Sequence, residues 1–136
     1  MARSARARWS ASRDPRSCTL EFNGRPGFFV LFQPWEHGEH PAPQDLLDAS
    51  LAASAALRLA RFIRRAHFEV RALELEVTHL PTPDGLVLTL AIHVVGRLTD
   101  ERQQRLLQVA NGCAIRKILS GKIAVVTLEH LQREDR

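Results

Sequence analysis

Two thiols are the first residues in this sequence that could carry chemistry. Cys18 begins a short apolar run, and Cys113 follows Gly112 at the start of an expected helix. Backbone N–H groups at a helix start favour a reactive thiolate, which could act alone or through mixed disulfides. A small buried apolar side chain is the plainer interpretation of Cys113. A disulfide between the two cysteines is a third alternative, and their spacing does not indicate zinc.

A second group of reactive side chains lies in a proline-rich loop over residues 33–43. It holds two imidazoles, His37 and His40, and two carboxylates, Glu36 and Glu39. Their spacing differs from that of a zinc-binding helix, and polar loops of this kind are usually solvated. The other four histidines show no spacing typical of metal ligands. We therefore expect no metal and no cofactor.

Positive charge is concentrated at the N-terminus. Residues 1–16 hold five arginines and one aspartate, which accounts for the net charge of +4 of the 136-residue chain. An arm that binds nucleic acid is one interpretation of this segment. A solvated leader is the other, and we favour it because no nucleic-acid recognition motif accompanies the charge. We expect residues 1–17 to be poorly ordered, at least in part.

Length and composition predict one domain, which we place at residues 18–130, between this arm and a charged tail at 131–136. The longest apolar-rich stretch runs from Leu46 to Ile63. Asp48, Arg58 and Arg61 interrupt it, which is not typical of a membrane span. No apolar run follows the basic N-terminus as it does in a signal peptide. We expect a cytoplasmic protein.

One long helix is predicted from Gln44 to about His67. Carboxylates near its start and arginines toward its end both suit the helix dipole. Its middle, residues 49–57, has no charge and almost no bulk, so other backbones can approach it closely from several sides. A single small domain cannot wrap such a helix completely, which favours a partner.

The other elements are short strands and two shorter helices. Apolar runs at Cys18–Glu21 and Phe28–Phe32 flank a turn, and alternating stretches at Ala72–Leu80 and Leu86–Val95 form a second hairpin. One helix begins after Thr99 and ends near Ala110, another spans Cys113 to Ser120, and Lys122–Leu128 is predicted as a last strand. The order β-β-α-β-β-α-α-β without short βαβ units predicts an α+β fold with antiparallel sheets.

Two segments of this sequence resemble a known family. Residues 43–54, PQDLLDASLAAS, resemble Pro-x-Glu-Leu-Leu-x-Ala-x-x-Ala-x-Cys. Residues 98–121, LTDERQQRLLQVANGCAIRKILSG, resemble a helix "Leu-Ser-x-Glu" that leads into "Ala-x-x-Cys-Pro-Val" and "Leu-x-Gly". Both motifs are those of the OsmC/Ohr family, the osmotically induced and organic-hydroperoxide-resistance proteins. The resemblance covers about residues 41–128.

The resemblance implies an intertwined homodimer with long helices at its centre, antiparallel sheets outside, and a site at each subunit boundary. Active members of the family reduce organic hydroperoxides. A cysteine on the central helix attacks the peroxide, a second cysteine resolves the sulfenic acid as a disulfide, and a dithiol such as lipoamide restores the enzyme. A Glu before the helix and an Arg from the N-terminal region activate the first thiolate.

This sequence departs from the family pattern at the attacking position. That position falls on Ser54, whereas the resolving position falls on Cys113, and Ala114 replaces the usual proline after it. The activating Glu corresponds to Gln44 or to Asp45, depending on which spacing holds. The activating Arg corresponds to Arg16 or Arg25, and the sequence alone does not choose between them.

A serine hydroxyl cannot replace the thiolate in peroxide reduction, because it forms no sulfenic acid. We therefore expect a homodimer without peroxidase activity that keeps a pocket for a small apolar hydroperoxide or a lipoyl dithiol. A thiol enzyme based on Cys113 and a nucleic-acid accessory protein are the alternatives. Acyl transfer by Ser54 would need a histidine base such as His37 or His40. The plain interpretation of Ser54 is a small polar residue bonded within its helix.

Overall fold

The structure, a computed structural model, describes residues 4–11, 17–31, 41–121 and 123–128. It contains five strands and three helices within these residues, and both of its sheets are antiparallel. The predicted α+β class is confirmed. The loop with His37 and His40, the candidate Arg16 and the charged tail lie outside the described residues.

The N-terminal sheet has three strands in the order β1-β2-β3: Ala5–Arg8, Ser17–Phe22 and Arg25–Leu31. Asn23 and Gly24 join β2 to β3 with positive φ angles of 52° and 79°, as a two-residue hairpin turn requires. Strand β1 lies within the segment that we expect to be poorly ordered, at least in part. Its residues pair in register with Thr19–Phe22, and Arg8 forms an ion pair of 3.2 Å with Glu21.

Helix α1 spans Pro43–Ala66. Pro43 stands in the first turn. Backbone N–H groups there have no hydrogen-bond acceptor within the helix, so a proline, which lacks the N–H, costs no hydrogen bond. The carboxylate of Asp45 accepts a hydrogen bond of 2.8 Å from the backbone N–H of Ala42, which closes the helix start. The helix ends at His67, whose φ of 55° is the left-handed conformation that commonly stops a helix.

Strands β4 (Glu69–Thr82) and β5 (Gly85–Arg97) form one long hairpin beside α1. Side chains alternate along both strands, and the inward set, which includes Leu75 and Val77, packs on α1. Helices α2 (Asp100–Asn111) and α3 (Ala114–Ser120) cover another side of α1. The hydroxyl of Thr99 caps α2 by accepting a hydrogen bond of 3.2 Å from the N–H of Arg102.

The core lies where α1 meets the β4–β5 hairpin and the two shorter helices. One cluster of buried residues consists of Leu59, Ile63, Leu106, Val109 and Ala110. A second cluster, nearer the start of α1, is centred on Leu51, Ala55 and Cys113. No helix among the described residues is long and apolar enough to cross a membrane.

The predicted last strand is wrong for the single chain. Residues 123–128 have no regular structure, and Val125, Val126 and Leu128 are 87%, 78% and 88% exposed. The alternation of β-branched residues is present, but a strand also needs a neighbour to accept its backbone hydrogen bonds, and none lies beside this segment within the described chain.

Candidate functional site

Ser54 lies on α1 at its contact with the start of α3. Its Oγ accepts a hydrogen bond of 3.5 Å from the backbone N–H of Ile115, a long and therefore weak bond. The partner is thus a backbone group of another helix, and not the carbonyl one turn back that the sequence suggests. The bond joins the middle of α1 to a residue two positions after Cys113.

Cys113 stands beside this contact and is completely buried. It is the N-cap residue of α3 and packs against Leu51 and Ala55, which flank Ser54 on the helix. Its backbone N–H donates to the carbonyl of Ala110 at 3.2 Å. The structure therefore brings Ser54 and Cys113, the two positions singled out from the sequence, to the same helix crossing. Cys18 lies on β2, half-buried, and both cysteines are free thiols.

Arg58 fixes the turn that carries Cys113, and the sequence patterns did not single it out. Its Nε donates a hydrogen bond of 2.8 Å to the carbonyl oxygen of Val109, one of the last carbonyls of α2. A cation suits this place because the C-terminal end of a helix is electronegative. A Cβ on Gly112 would lie 3.0 Å from an Nη atom of Arg58, so the glycine leaves room for the guanidinium.

A groove of about 890 Å³ begins at Ser54 and follows α1 toward its C-terminal end. Ala114 closes one side of its start, and Leu57 and Ala60 give it an apolar floor. Four arginines line the rest of this arginine groove: Arg58, Arg61, Arg64 and Arg65.

The candidates for the activating acid lie at the far end of α1. Asp45 and Gln44 precede Ser54 by nine and ten residues, a separation of roughly 14 Å along a helix that rises 1.5 Å per residue. Asp45 is engaged in closing the helix start. Gln44 is half-buried, and its Nε2 is buried without a hydrogen-bond partner among the described residues. Within one chain, neither side chain can reach the Ser54 hydroxyl.

Arg25 lies at the start of β3, opposite Phe22 in the hairpin of the N-terminal sheet, and is exposed to solvent. Its place in the sheet is fixed by the turn at Asn23 and Gly24, and no contact with α1 is part of that arrangement. The described residues therefore do not bring an activating arginine from the N-terminal region to Ser54.

Asp48 and His79 form a second polar contact that sequence reasoning missed. The Nδ1 atom of His79 lies 2.5 Å from Oδ2 of Asp48, whose side chain is only 14% exposed. The other carboxylate oxygen, Oδ1, is buried without a hydrogen-bond partner among the described residues. The pair ties the first turns of α1 to β4. In the sequence both residues look like isolated polar positions, since 31 residues separate them.

The described residues hold no group of three or more histidine, cysteine, aspartate or glutamate side chains that could bind a metal ion. What the site does contain is a serine hydroxyl at the same helix crossing as a buried thiol, and a groove that is apolar at one end and cationic at the other. A disulfide at this crossing would need a cysteine at residue 54, because the serine hydroxyl cannot form one.

Comparison with known proteins shows which solved structures have a similar fold. No protein-family model matches the sequence, and no curated protein matches it. Solved structures do match. An OsmC-like protein from Mycoplasma pneumoniae has a TM-score of 0.74 at 16% identity, over 89% of this chain and 89% of that chain.

Two further solved structures are of proteins described as organic hydroperoxide resistance proteins. OhrB, the organic hydroperoxide resistance protein of Bacillus subtilis, has a TM-score of 0.61 at 19% identity, over 89% of this chain and 92% of its own. A Vibrio cholerae protein described as an organic hydroperoxide resistance protein, with captopril bound in one of its active sites, has a TM-score of 0.62 at 20% identity over 89% and 85%. The chain has the fold of OsmC-like and Ohr proteins.

Proposed function

We propose that this chain, whose fold is that of OsmC-like and Ohr proteins, forms a homodimer that binds a small ligand beside Ser54 and does not reduce peroxides. The observation that carries the proposal is the helix crossing at which Ser54 meets the turn of Cys113. In the sequence resemblance these are the attacking and the resolving positions. At this crossing only one of the two residues, Cys113, is a thiol.

The absence of the first thiol removes the first step of the reaction. Peroxide reduction forms an S–O bond and breaks the O–O bond, which releases an alcohol and leaves a sulfenic acid. A second thiol then converts the sulfenic acid to a disulfide with release of water. A serine hydroxyl forms no such intermediate. Among the described residues no base lies near Ser54, because Asp45 and Gln44 lie at the other end of α1 and the described histidines lie elsewhere. We therefore expect no activity from the hydroxyl.

Cys113 could act alone only if it became accessible. Its exposed fraction is 0%, and apolar side chains of β4, β5 and α1 surround it. A peroxide would have to enter this packed cluster to reach the sulfur. Burial favours a structural role for the residue over the alternative of a one-cysteine enzyme.

Three features support the homodimer. The first half of α1 has small residues that nothing covers in the described part of the single chain, among them the exposed Ala49 and Ala53. Residues 123–128 expose a row of apolar side chains and lack a neighbouring strand. The N-terminal sheet makes few contacts with the rest of the described chain. A second copy would cover each of these surfaces, because unpaired strands and large apolar patches favour association.

The test is hydroperoxide consumption by the full chain, with cumene hydroperoxide as substrate and dihydrolipoamide as reductant. We expect a rate equal to that without protein, and the same rate for Cys113→Ser. Consumption by the unmodified chain that disappears in Cys113→Ser would replace the proposal with the thiol-enzyme alternative. Sedimentation of the same sample tests the homodimer separately, and a monomer at micromolar concentration would contradict that part.

A further inference from the structure

The arginine groove places four like charges along the last three turns of α1. Arg58, Arg61 and Arg65 follow at intervals of three and four residues, which puts them on one side of the helix, and Arg64 stands next to them. All four residues are exposed. Like charges at these spacings repel each other and destabilise a helix by a few tenths of a kcal/mol per pair.

These charges are not neutralised within the described chain. Arg58 donates its Nε to the carbonyl of Val109, a neutral acceptor. The described residues offer no ion pair to Arg61, Arg64 or Arg65; their ion pairs lie elsewhere, between Arg8 and Glu21 and between His79 and Asp48. The guanidinium groups of Arg61, Arg64 and Arg65 thus face one groove without a counter-charge from the described residues.

Helix electrostatics explains only a part of this cluster. A cation is favoured within the last turn of a helix, which covers Arg64 and Arg65 in a helix that ends at Ala66. Arg61 lies more than a turn before the end, on the same side as Arg58 and Arg65. The cluster therefore extends past the segment that the helix dipole stabilises, and into the groove that begins at Ser54.

We infer that the arginine groove binds a small organic phosphate, with its phosphate group among Arg61, Arg64 and Arg65 and its apolar part along Leu57 and Ala60 toward Ser54. Planar guanidinium groups bind phosphate oxygens in pairs of parallel hydrogen bonds. Three unpaired positive charges match a dianion or trianion better than a single carboxylate. The inference deepens the proposed ligand-binding role, and it rests on that role for the pocket beside Ser54.

The test uses isothermal titration of the full chain with inorganic pyrophosphate as the probe. We expect saturable binding that weakens as sodium chloride is raised, because exposed charge pairs are screened by salt. Arg61→Gln and Arg65→Gln should each weaken binding by about tenfold, the loss of one charge-assisted contact. Arg71→Gln is the matched control, since Arg71 is an exposed arginine on β4 that does not line the groove, and it should leave the affinity unchanged.

Three results would overturn the inference. The first is no binding of pyrophosphate. The second is an equal loss in Arg61→Gln and Arg71→Gln, which would indicate general charge attraction. The third is tighter binding of octanoate or of duplex DNA than of pyrophosphate. The hydroperoxide assay and the sedimentation measurement use other readouts, so failure of the proposed function can be told apart from failure of this inference.

Discussion

The hydroxyl oxygen of Ser54 lies 3.5 Å from the backbone nitrogen of Ile115, and this contact joins the long helix to the turn that carries Cys113. Two segments 61 residues apart in sequence meet there. The relation matters because a thiol at residue 54 would lie at the same helix crossing as Cys113, whereas a hydroxyl forms neither a sulfenic acid nor a disulfide.

The weakness of this contact predicts a small effect of removing it. Ser54→Ala should change the free energy of unfolding by less than about 1 kcal/mol, because a long hydrogen bond contributes little and no charge is left unpaired. Urea denaturation followed by circular dichroism measures the change. A loss of several kcal/mol would show that the hydroxyl holds α3 in place.

Arg58 should matter more for stability than its neighbours in the arginine groove. Arg58→Gln removes the 2.8 Å hydrogen bond to the Val109 carbonyl, and we expect a loss of about 1 to 2 kcal/mol in the free energy of unfolding. Arg61→Gln is the control, since it removes the same charge without a described partner. Urea denaturation of both variants measures the difference. Equal effects of the two substitutions would contradict the role given to Arg58.

The Asp48–His79 pair should respond to the loss of one partner. His79→Leu leaves the carboxylate of Asp48 largely buried and without its partner, and we expect a destabilisation of about 1 to 3 kcal/mol. His93→Leu, at an exposed position of β5, is the control and should have little effect. Thermal and urea unfolding of the two variants provide the measurement.

A double variant shows whether the effect comes from the unpaired charge. If it does, Asp48→Leu combined with His79→Leu should be more stable than His79→Leu alone, because two apolar side chains leave no buried charge. A double variant less stable than either single variant would mean that packing around the pair, rather than its charge, sets the cost.

The two thiols should differ in reactivity with a thiol reagent. Cys113 is completely buried whereas Cys18 is half-buried, so iodoacetamide should modify Cys18 first and Cys113 only after denaturation. Peptide mapping by mass spectrometry identifies the modified residue, with Cys18→Ser as the control. Rapid modification of Cys113 in the folded chain would instead favour the thiol-enzyme alternative.

A charge introduced into the exposed residues 123–128 should affect the association of two chains and not the folding of one chain. Val125 is 87% exposed in the single chain, so Val125→Lys should leave the folding of one chain unchanged. If a second copy covers this segment, the same substitution should shift the homodimer toward monomer in sedimentation experiments. Gln108→Lys on the exposed face of α2 is the control. A dimer unaffected by Val125→Lys would place the interface elsewhere.

Local patterns were sufficient to predict much of this fold. Helix α1 was predicted from its charge distribution and small residues, the β4–β5 hairpin from strict alternation around Pro83 and Asp84, and α2 from its Thr99 cap. Each of these signals lies within one element, so that no distant residue is needed to read it.

Pairings between distant residues could not be predicted in the same way. Strand β1 has only the alternation of alanine and arginine, and it becomes a strand because β2 lies beside it. Residues 123–128 show the converse: their sequence has a clear strand pattern, but no strand of the described chain lies beside them. The contacts of Arg58 with Val109 and of His79 with Asp48 also join distant segments, and they depend on how α1 packs.

The decisive measurement is oxidation of Ser54→Cys by one equivalent of cumene hydroperoxide, followed by peptide mapping under non-reducing conditions. Since residue 54 lies at the turn of Cys113, the introduced thiol should form a disulfide with Cys113, and the variant should then consume hydroperoxide with dihydrolipoamide. Ser50→Cys, one turn earlier on α1, should form none. Absence of the disulfide in Ser54→Cys, or its equal formation in Ser50→Cys, would contradict the central claim. That claim is that Ser54 occupies the position of the cysteine that attacks the peroxide.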